Sequence, residues 1–307
     1  MFTIIGIVVV FGAILSGYLM EHGNLEVLLQ PAELIIIGGA ALGTMLVANP
    51  LPVVIKILKG CVGVFSPSPF SKAFYLQHLK MLNELFHHAR KNGAVKLEAD
   101  IEDPQKSPLF KSYPTFLKNH HALNFVCDTL RMYISGGVGS FELDQMMELD
   151  MEVHHQSATT PVAALTTIAD SLPGLGIVAA VLGVVITMGA LGGPPEEIGH
   201  KVAAALVGTF LGILLCYGLF GPLAANMSKI NDAEAQFYHC LRVAVNAFIR
   251  GSAPILAIEF ARRTIPADLR PSFQEMEQYC KRGGAAPAPG GAPDAAATPE
   301  PAAAGKS

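Results

Sequence analysis

Ionisable residues are missing where this chain is most apolar. Leu172 to Leu191 (LPGLGIVAAVLGVVITMGAL) and Val202 to Pro222 (VAAALVGTFLGILLCYGLFGP) contain no Asp, Glu, Lys, Arg or His. Each run approaches the ~20 residues that a helix needs to cross ~30 Å of hydrocarbon. Ion pathways usually carry an intramembrane ionisable group, because something must bind and release the ion. If this pair of spans conducts ions, a second protein is expected to bring the carboxylate. Basic residues are missing from the N-terminal part, where no Lys or Arg precedes Lys56. Paired cysteines are missing too: the five lie at 61, 127, 216, 240 and 280, never as CxxC, which argues against a disulfide frame or a zinc site. The pairs His87-His88, His120-His121 and His154-His155 are adjacent in sequence and diverge on a helix, whereas metal ligands prefer i and i+3 or i+4. No metal and no cofactor is expected. No HExxH, phosphate loop, nucleophile elbow or strand–GxGxxG–helix pattern occurs, so nothing supports an enzyme. A net charge of -4 implies no strong nucleic-acid partner.

What is present is a mixture. Mean hydropathy is +0.42, with 51% hydrophobic and 15% charged residues. That is too apolar for a soluble domain and too charged for a chain wholly in lipid. The spacing predicts an all-α integral membrane protein with four transmembrane helices and a large helical cytoplasmic insertion between helices two and three. Phe2 to Met20 is the first span. It has neither the basic n-region nor the small-residue cleavage site of a signal peptide, so it reads as a retained helix. Glu21 to Glu33 reads as an acidic loop, and Leu34 to about Ile55 as the second span, with Pro50 and Pro52 near its end. The expected division is 1–55 for the first two spans, 56–170 for the insertion, 171–222 for spans three and four, 223–282 for C-terminal helices and 283–307 for an Ala/Pro/Gly tail expected to be disordered.

Charge sets the expected topology. Segment 56–131 holds eleven Lys or Arg, nine more follow Pro222, and only Lys201 falls between spans three and four. The positive-inside rule then puts the insertion and both termini in the cytoplasm. Loops 21–33 and 192–201 would face outward.

Two faces stand out in the hairpin. Pro173, Gly176, Ala180, Gly183 and Thr187 recur at steps of three or four, as do Thr209, Gly212 and Cys216. Small and hydroxyl faces are where membrane helices approach closely. They fit either plain packing or a narrow site for a partner helix or an ion. In the insertion, LQHLKMLNELFHHARK has helical period, ended by Asn92-Gly93. Arg90 to Asp100 then puts mixed charges at a helix end and the loop after it, either as a solvated surface or as a docking patch. Further helices are expected from Leu123 to Ile134, from Ser140 toward Pro161 and into the third span, from Pro254 to Arg263, and from Ser272 to Lys281.

The motifs ARKNGAVKLEADIEDP, YISGGVGSFELDQMME, DSLPGLGIVAAVLGVV, VGTFLGILLCYGLFGPLA and IEFARRTIPADLRPSFQEME resemble the MotA family of flagellar-motor stator subunits. The resemblance runs from the N-terminus to about Lys281. It implies a ring, thought to be of five copies, around the membrane helices of two MotB-type partners that supply a titrating aspartate. It also implies residence in the bacterial inner membrane. Pro173 and Pro222 match the family prolines that couple ion passage to cytoplasmic movement. Ala180, Thr209 and Tyr217 fall at ion-path positions, and Arg90 and Glu98 match the charged pair that engages the rotor protein FliG. Ala180 stands where sodium-driven relatives tend to carry a threonine, which implies protons, although Thr187 and Thr209 could offer oxygens to sodium. The alternative reading is an energiser of the ExbB/TolQ kind, which shares the two-helix core but usually has three spans. A self-sufficient secondary transporter would need a midplane binding residue or broken repeat helices.

Overall fold

The computed structural model describes residues 2–189 and 192–281. Its elements are, in order, α1 (Phe2–Met20), α2 (Leu25–Leu28), α3 (Pro31–Ala48), α4 (Leu51–Gly63), α5 (Lys72–Asn92), α6 (Ala94–Glu102), α7 (Pro108–Lys111), α8 (Pro114–Lys118), α9 (His120–Ser135), α10 (Ser140–Met188), α11 (Pro195–Leu215), a π turn (Cys216–Phe220), α12 (Gly221–Ile249), α13 (Pro254–Thr264) and α14 (Phe273–Lys281). Among the described residues every element is helical. Four stretches are long and apolar enough to cross a membrane: Phe2–Met20, Leu25–Ala48, Ser140–Met188 and Pro195–Ile249. The expected end of the third span, Ala190 and Leu191, and the expected disordered tail from residue 283 lie outside the described residues.

Among the described residues the chain forms two compact units, one from residues up to 70 with those from 141 to 242, the other from 71–140 with those from 243 on. The first holds the apolar spans. No residue of α1 is buried, and Ile4, Val8, Val9 and Leu15 are exposed. In water such a face would be costly, but lipid tails are as apolar as leucine and leave no penalty. Two apolar clusters hold this unit together. Ile37 and Ala41 of α3 pack with Leu172 and Ala179 of α10 and with Cys216. Met45, Val54 and Ile57 pack with Val162 and Leu165 of α10 and with Leu223, Ala224 and Met227 of α12. Farther along the same helices Arg242 donates to Asp144 (2.7 Å) and Glu148 (3.2 Å), joining α12 to α10.

The second unit is built on α5. Ser71 caps it, its hydroxyl accepting from the Phe74 N–H at 3.2 Å, and Gly93 at φ +80° stops it. Tyr75, Leu79, Leu82 and Phe86 follow at helical spacing and are almost wholly buried. Each buried side chain of this size stabilises by about 1.5–3 kcal/mol. Phe86 stacks on Phe248, with ring centroids 4.4 Å apart and planes 3° apart.

Several boundaries differ from the sequence reading: α11 starts at Pro195, inside the expected loop 192–201, and α9 at His120 rather than Leu123. The expected loop Glu21 to Glu33 contains α2, and α3 already begins at Pro31. Proline is favoured in the first helical turn, where its missing N–H has no helical partner to lose, so Pro31 starts the helix rather than ending the loop. The second span does not run unbroken to Ile55. It stops at Ala48, and α4 restarts at Leu51, because Pro50 disfavours the α conformation at Asn49. Residues 94–102 are a helix of their own, not a loop.

Candidate functional site

In the first unit, α10 and α11 meet through glycine. A Cβ placed on Gly176 would lie 2.7 Å from the Gly208 carbonyl oxygen and 3.3 Å from the Thr209 Cα. On Gly212 it would lie 2.5 Å from the Leu172 oxygen, and on Gly183 2.7 Å from the Ala205 Cβ. The small-residue face expected from sequence therefore brings two backbones into contact. Ala205 and Gly208 belong to the same seam. The helical step back from Thr209 and Gly212 could have found them.

The residues expected along an ion path are distributed unevenly around this seam. Ala180 is half-buried beside it, its backbone nitrogen 3.2 Å from where a Gly208 Cβ would stand. Thr209 is half-buried, with its backbone in the seam. Thr187 is buried, and its hydroxyl donates to the Gly183 carbonyl at 2.8 Å. That bond uses the only proton of the hydroxyl and leaves its lone pairs as acceptors. Tyr217 is not brought to the seam. It is 73% exposed and lines a shallow cavity of 280 Å³ with Val10, Ile14, Phe210 and Ile213.

Both prolines lie inside long helices. Pro173 is within α10, and without an N–H it leaves the Ala169 carbonyl without its usual partner. Pro222 is the second residue of α12, separated from the end of the π turn at Phe220 by Gly221 alone. There the Gly221 N–H donates to the Cys216 carbonyl, one residue farther back than in an α-helix. π turns of this kind are often found at functional sites.

The sequence reading missed Glu33. By sequence alone the residue falls in the loop 21–33, outside the third and fourth spans that lack ionisable groups. Glu33 is in the first turn of α3 and is only 7% exposed. Its carboxylate rests on the seam: Oε2 lies 2.6 Å from where a Cβ of Gly208 would be, and Oε1 3.6 Å from that of Gly183. Oε2 is buried without a hydrogen-bond partner. The missed signal was local, since Gln-Pro-Ala-Glu ahead of an apolar run places Pro at the first helical position and Glu at the third.

In the second unit, Arg90 is exposed near the end of α5, and one guanidinium N–H donates to the Gly251 carbonyl at 2.8 Å. Glu98 is exposed on α6. Among the described residues no ion pair joins them. The two helices are tied by neighbours instead: His88 Nε2 lies 3.1 Å from Asp100, which also accepts from Ser107 at 2.7 Å.

Comparison with known proteins decides which family carries these features. Residues 4–93 match the family model for the Motility protein A N-terminal region. Residues 118–238 match that of the MotA/TolQ/ExbB proton channel family. The chain is 40% identical over 281 residues to Motility protein A of Escherichia coli (strain K12), covering 92% of this chain and 95% of that one. The chain belongs to the Motility protein A family. Two solved structures share the fold. MotAB of C. jejuni has a TM-score of 0.71 at 19% identity, covering 87% of this chain and 96% of that one. The flagellar MotAB stator complex of Bacillus subtilis has a TM-score of 0.69 at 24% identity, covering 86% and 96%. Within the Motility protein A family, the N-terminal match takes in Glu33 and Arg90, and the channel match takes in both prolines and the whole seam.

Proposed function

We propose that this chain is the flagellar-motor stator subunit that, with a MotB-type partner, conducts ions across the bacterial inner membrane and turns their flow into torque. The observation that carries the reading is the 40% identity to a Motility protein A along nearly its whole length. In this reading the partner supplies a titrating aspartate, which suits α10 and α11 runs without ionisable groups. Pro173, Ala180, Thr187, Thr209, Tyr217 and Pro222 line or gate the path, and Ala180 favours protons over sodium. Five copies surround two partner chains, the termini and residues 56–170 are cytoplasmic, and Arg90 and Glu98 engage the rotor protein FliG.

The energy suffices for switching. One charge crossing ~100 mV releases ~2.3 kcal/mol. That biases a two-state arrangement by roughly 50-fold at 1.4 kcal/mol per factor of ten. An ExbB/TolQ-type energiser shares the channel-family match, but the N-terminal match is to Motility protein A and spans α1 through α5, which favours the flagellar reading.

The test is to restore swimming in a bacterium deleted for its own Motility protein A gene, supplying this chain with its partner. Swimming is expected to return and to stop with a protonophore at constant sodium. Dependence on sodium would move the ion preference to Thr187, Thr209 or the partner. No swimming, together with rescue of an outer-membrane uptake defect, would replace the stator with the energiser.

A further inference from the structure

Glu33 is the one buried carboxylate against the α10–α11 seam among the described residues. Gly208 stands six residues inside the apolar run that begins at Val202, about 9 Å along the helix at 1.5 Å per residue. Although on its own helix it stands in the first turn of α3, the carboxylate packed on Gly208 is therefore level with the apolar run of α11. Ionisable groups are expensive there and mark ion or proton routes more often than scaffolding. The seam glycines make the room: a methyl group on Gly208 would overlap Oε2.

Charges that could hold Glu33 ionised are already committed or distant. On α11, Lys201 is nearly two turns from Gly208 and pairs with Glu197 at 2.8 Å, while Glu196 and His200 are exposed. Asp170, on α10, is thirteen residues from Gly183 and exposed. Glu26 of α2 and Glu21 and His22 before it are exposed as well. The N-terminus of α3 favours negative charge, but this effect is weak beside the cost of a carboxylate oxygen buried without a donor. A bound proton removes the charge, the largest part of that cost, and needs no second ligand.

We propose that Glu33 is a proton-binding carboxyl within the membrane part, taking up and releasing the transported proton in addition to the aspartate expected on the partner. The proposal rests on the stator reading for the word transported, and on this chain alone for proton binding. The step is proton transfer only: an O–H bond forms on the carboxylate and later breaks, and no carbon bond changes.

The test uses the full chain with its partner, reconstituted in vesicles, with protons as the probe. Infrared difference spectra across pH are recorded for the unmodified protein, Glu33→Gln and Glu33→Asp, and swimming is measured at matched membrane levels. A protonated-carboxyl band is expected that titrates with pH, disappears in Glu33→Gln and moves in Glu33→Asp. Swimming speed in Glu33→Gln is expected to fall by about tenfold or more, since a positioned proton-transfer group typically contributes ~10²–10⁴-fold to its step, with partial recovery in Glu33→Asp. If Glu33→Gln does not accumulate, the moved band and swimming of Glu33→Asp decide instead. The assignment is overturned by absence of the band, by a band that follows sodium at fixed pH, or by undiminished swimming in Glu33→Gln. Failure of the unmodified chain to support swimming would count against the stator reading, and the band would still decide whether Glu33 binds a proton.

Discussion

Single atoms set how closely α10 and α11 approach. Gly176 and Gly212 each face backbone of the other helix, and backbone cannot rotate aside as a side chain can. Gly176→Ala or Gly212→Ala is expected to cost about 1–3 kcal/mol through overpacking, lowering the melting temperature of the purified protein. Gly174→Ala, where nothing lies within 4 Å, is the control and should leave it unchanged. His78 makes a different prediction. Its Nδ1–H donates to the Phe74 carbonyl at 2.7 Å, and burial holds its pKa down from 6.5 to about 4. The unfolded chain thus binds the proton more readily than the folded one. Stability is unaffected above pH 6.5, is lost as pH falls from about 6.5 to about 4, and levels off below. The loss is up to about 3 kcal/mol at 1.36 kcal/mol per pH unit. His78→Phe should flatten this part of the denaturation-versus-pH curve, whatever it does to stability at neutral pH; a slope unchanged by the substitution would count against burial of the neutral ring. Neither role was legible beforehand. Period placed Gly176 and Gly212 on small faces, but which backbone each meets depends on the partner helix. Nothing in LQHLK separates a buried His78 from a surface one.

At the scale of the element, the informative features are interruptions. α10 runs through Pro161 and Pro173 without ending, and the π turn at Cys216–Phe220 is separated from Pro222 only by Gly221. A proline removes one helical bond and marks a place where a helix can bend without unfolding. Pro173→Ala and Pro222→Ala restore an N–H and should stiffen these points. We expect membrane levels and partner co-purification to be retained while swimming torque falls. Loss of membrane level together with swimming would assign the prolines to folding. Most elements were legible, because α1 is one continuous apolar run and α5 and α9 carry plain helical periods that stop at Gly93 and Gly136, both at positive φ. Among the misread ones, α3 starts at Pro31 and α4 restarts after Pro50, both beside proline, while α6 restarts directly after Gly93. Local sequence marks a proline as a boundary without saying which side of it is helical.

For the whole molecule, the apolar unit and the α5-centred unit call for separate assays. Arg90 and Glu98 are both exposed and not paired with each other, so their charges are available to a partner. Charge reversal at either is expected to reduce rotor engagement and swimming while stability, membrane insertion and MotB-type partner binding persist, since an exposed charge contributes little to folding. Normal swimming of Arg90→Glu and of Glu98→Lys would remove the docking assignment.

The sequence by itself determined the four apolar spans, the helical insertion and the family, because hydropathy, period and long motifs are local properties of the chain. It also located the small-residue faces of α10 and α11. Only the tertiary structure decided that these faces meet each other, that Tyr217 points away from them, and that Glu33 lies on Gly183 and Gly208. A carboxylate's environment is set by residues roughly 150 or more positions distant in sequence, and only packing of a separate helix brings them to it.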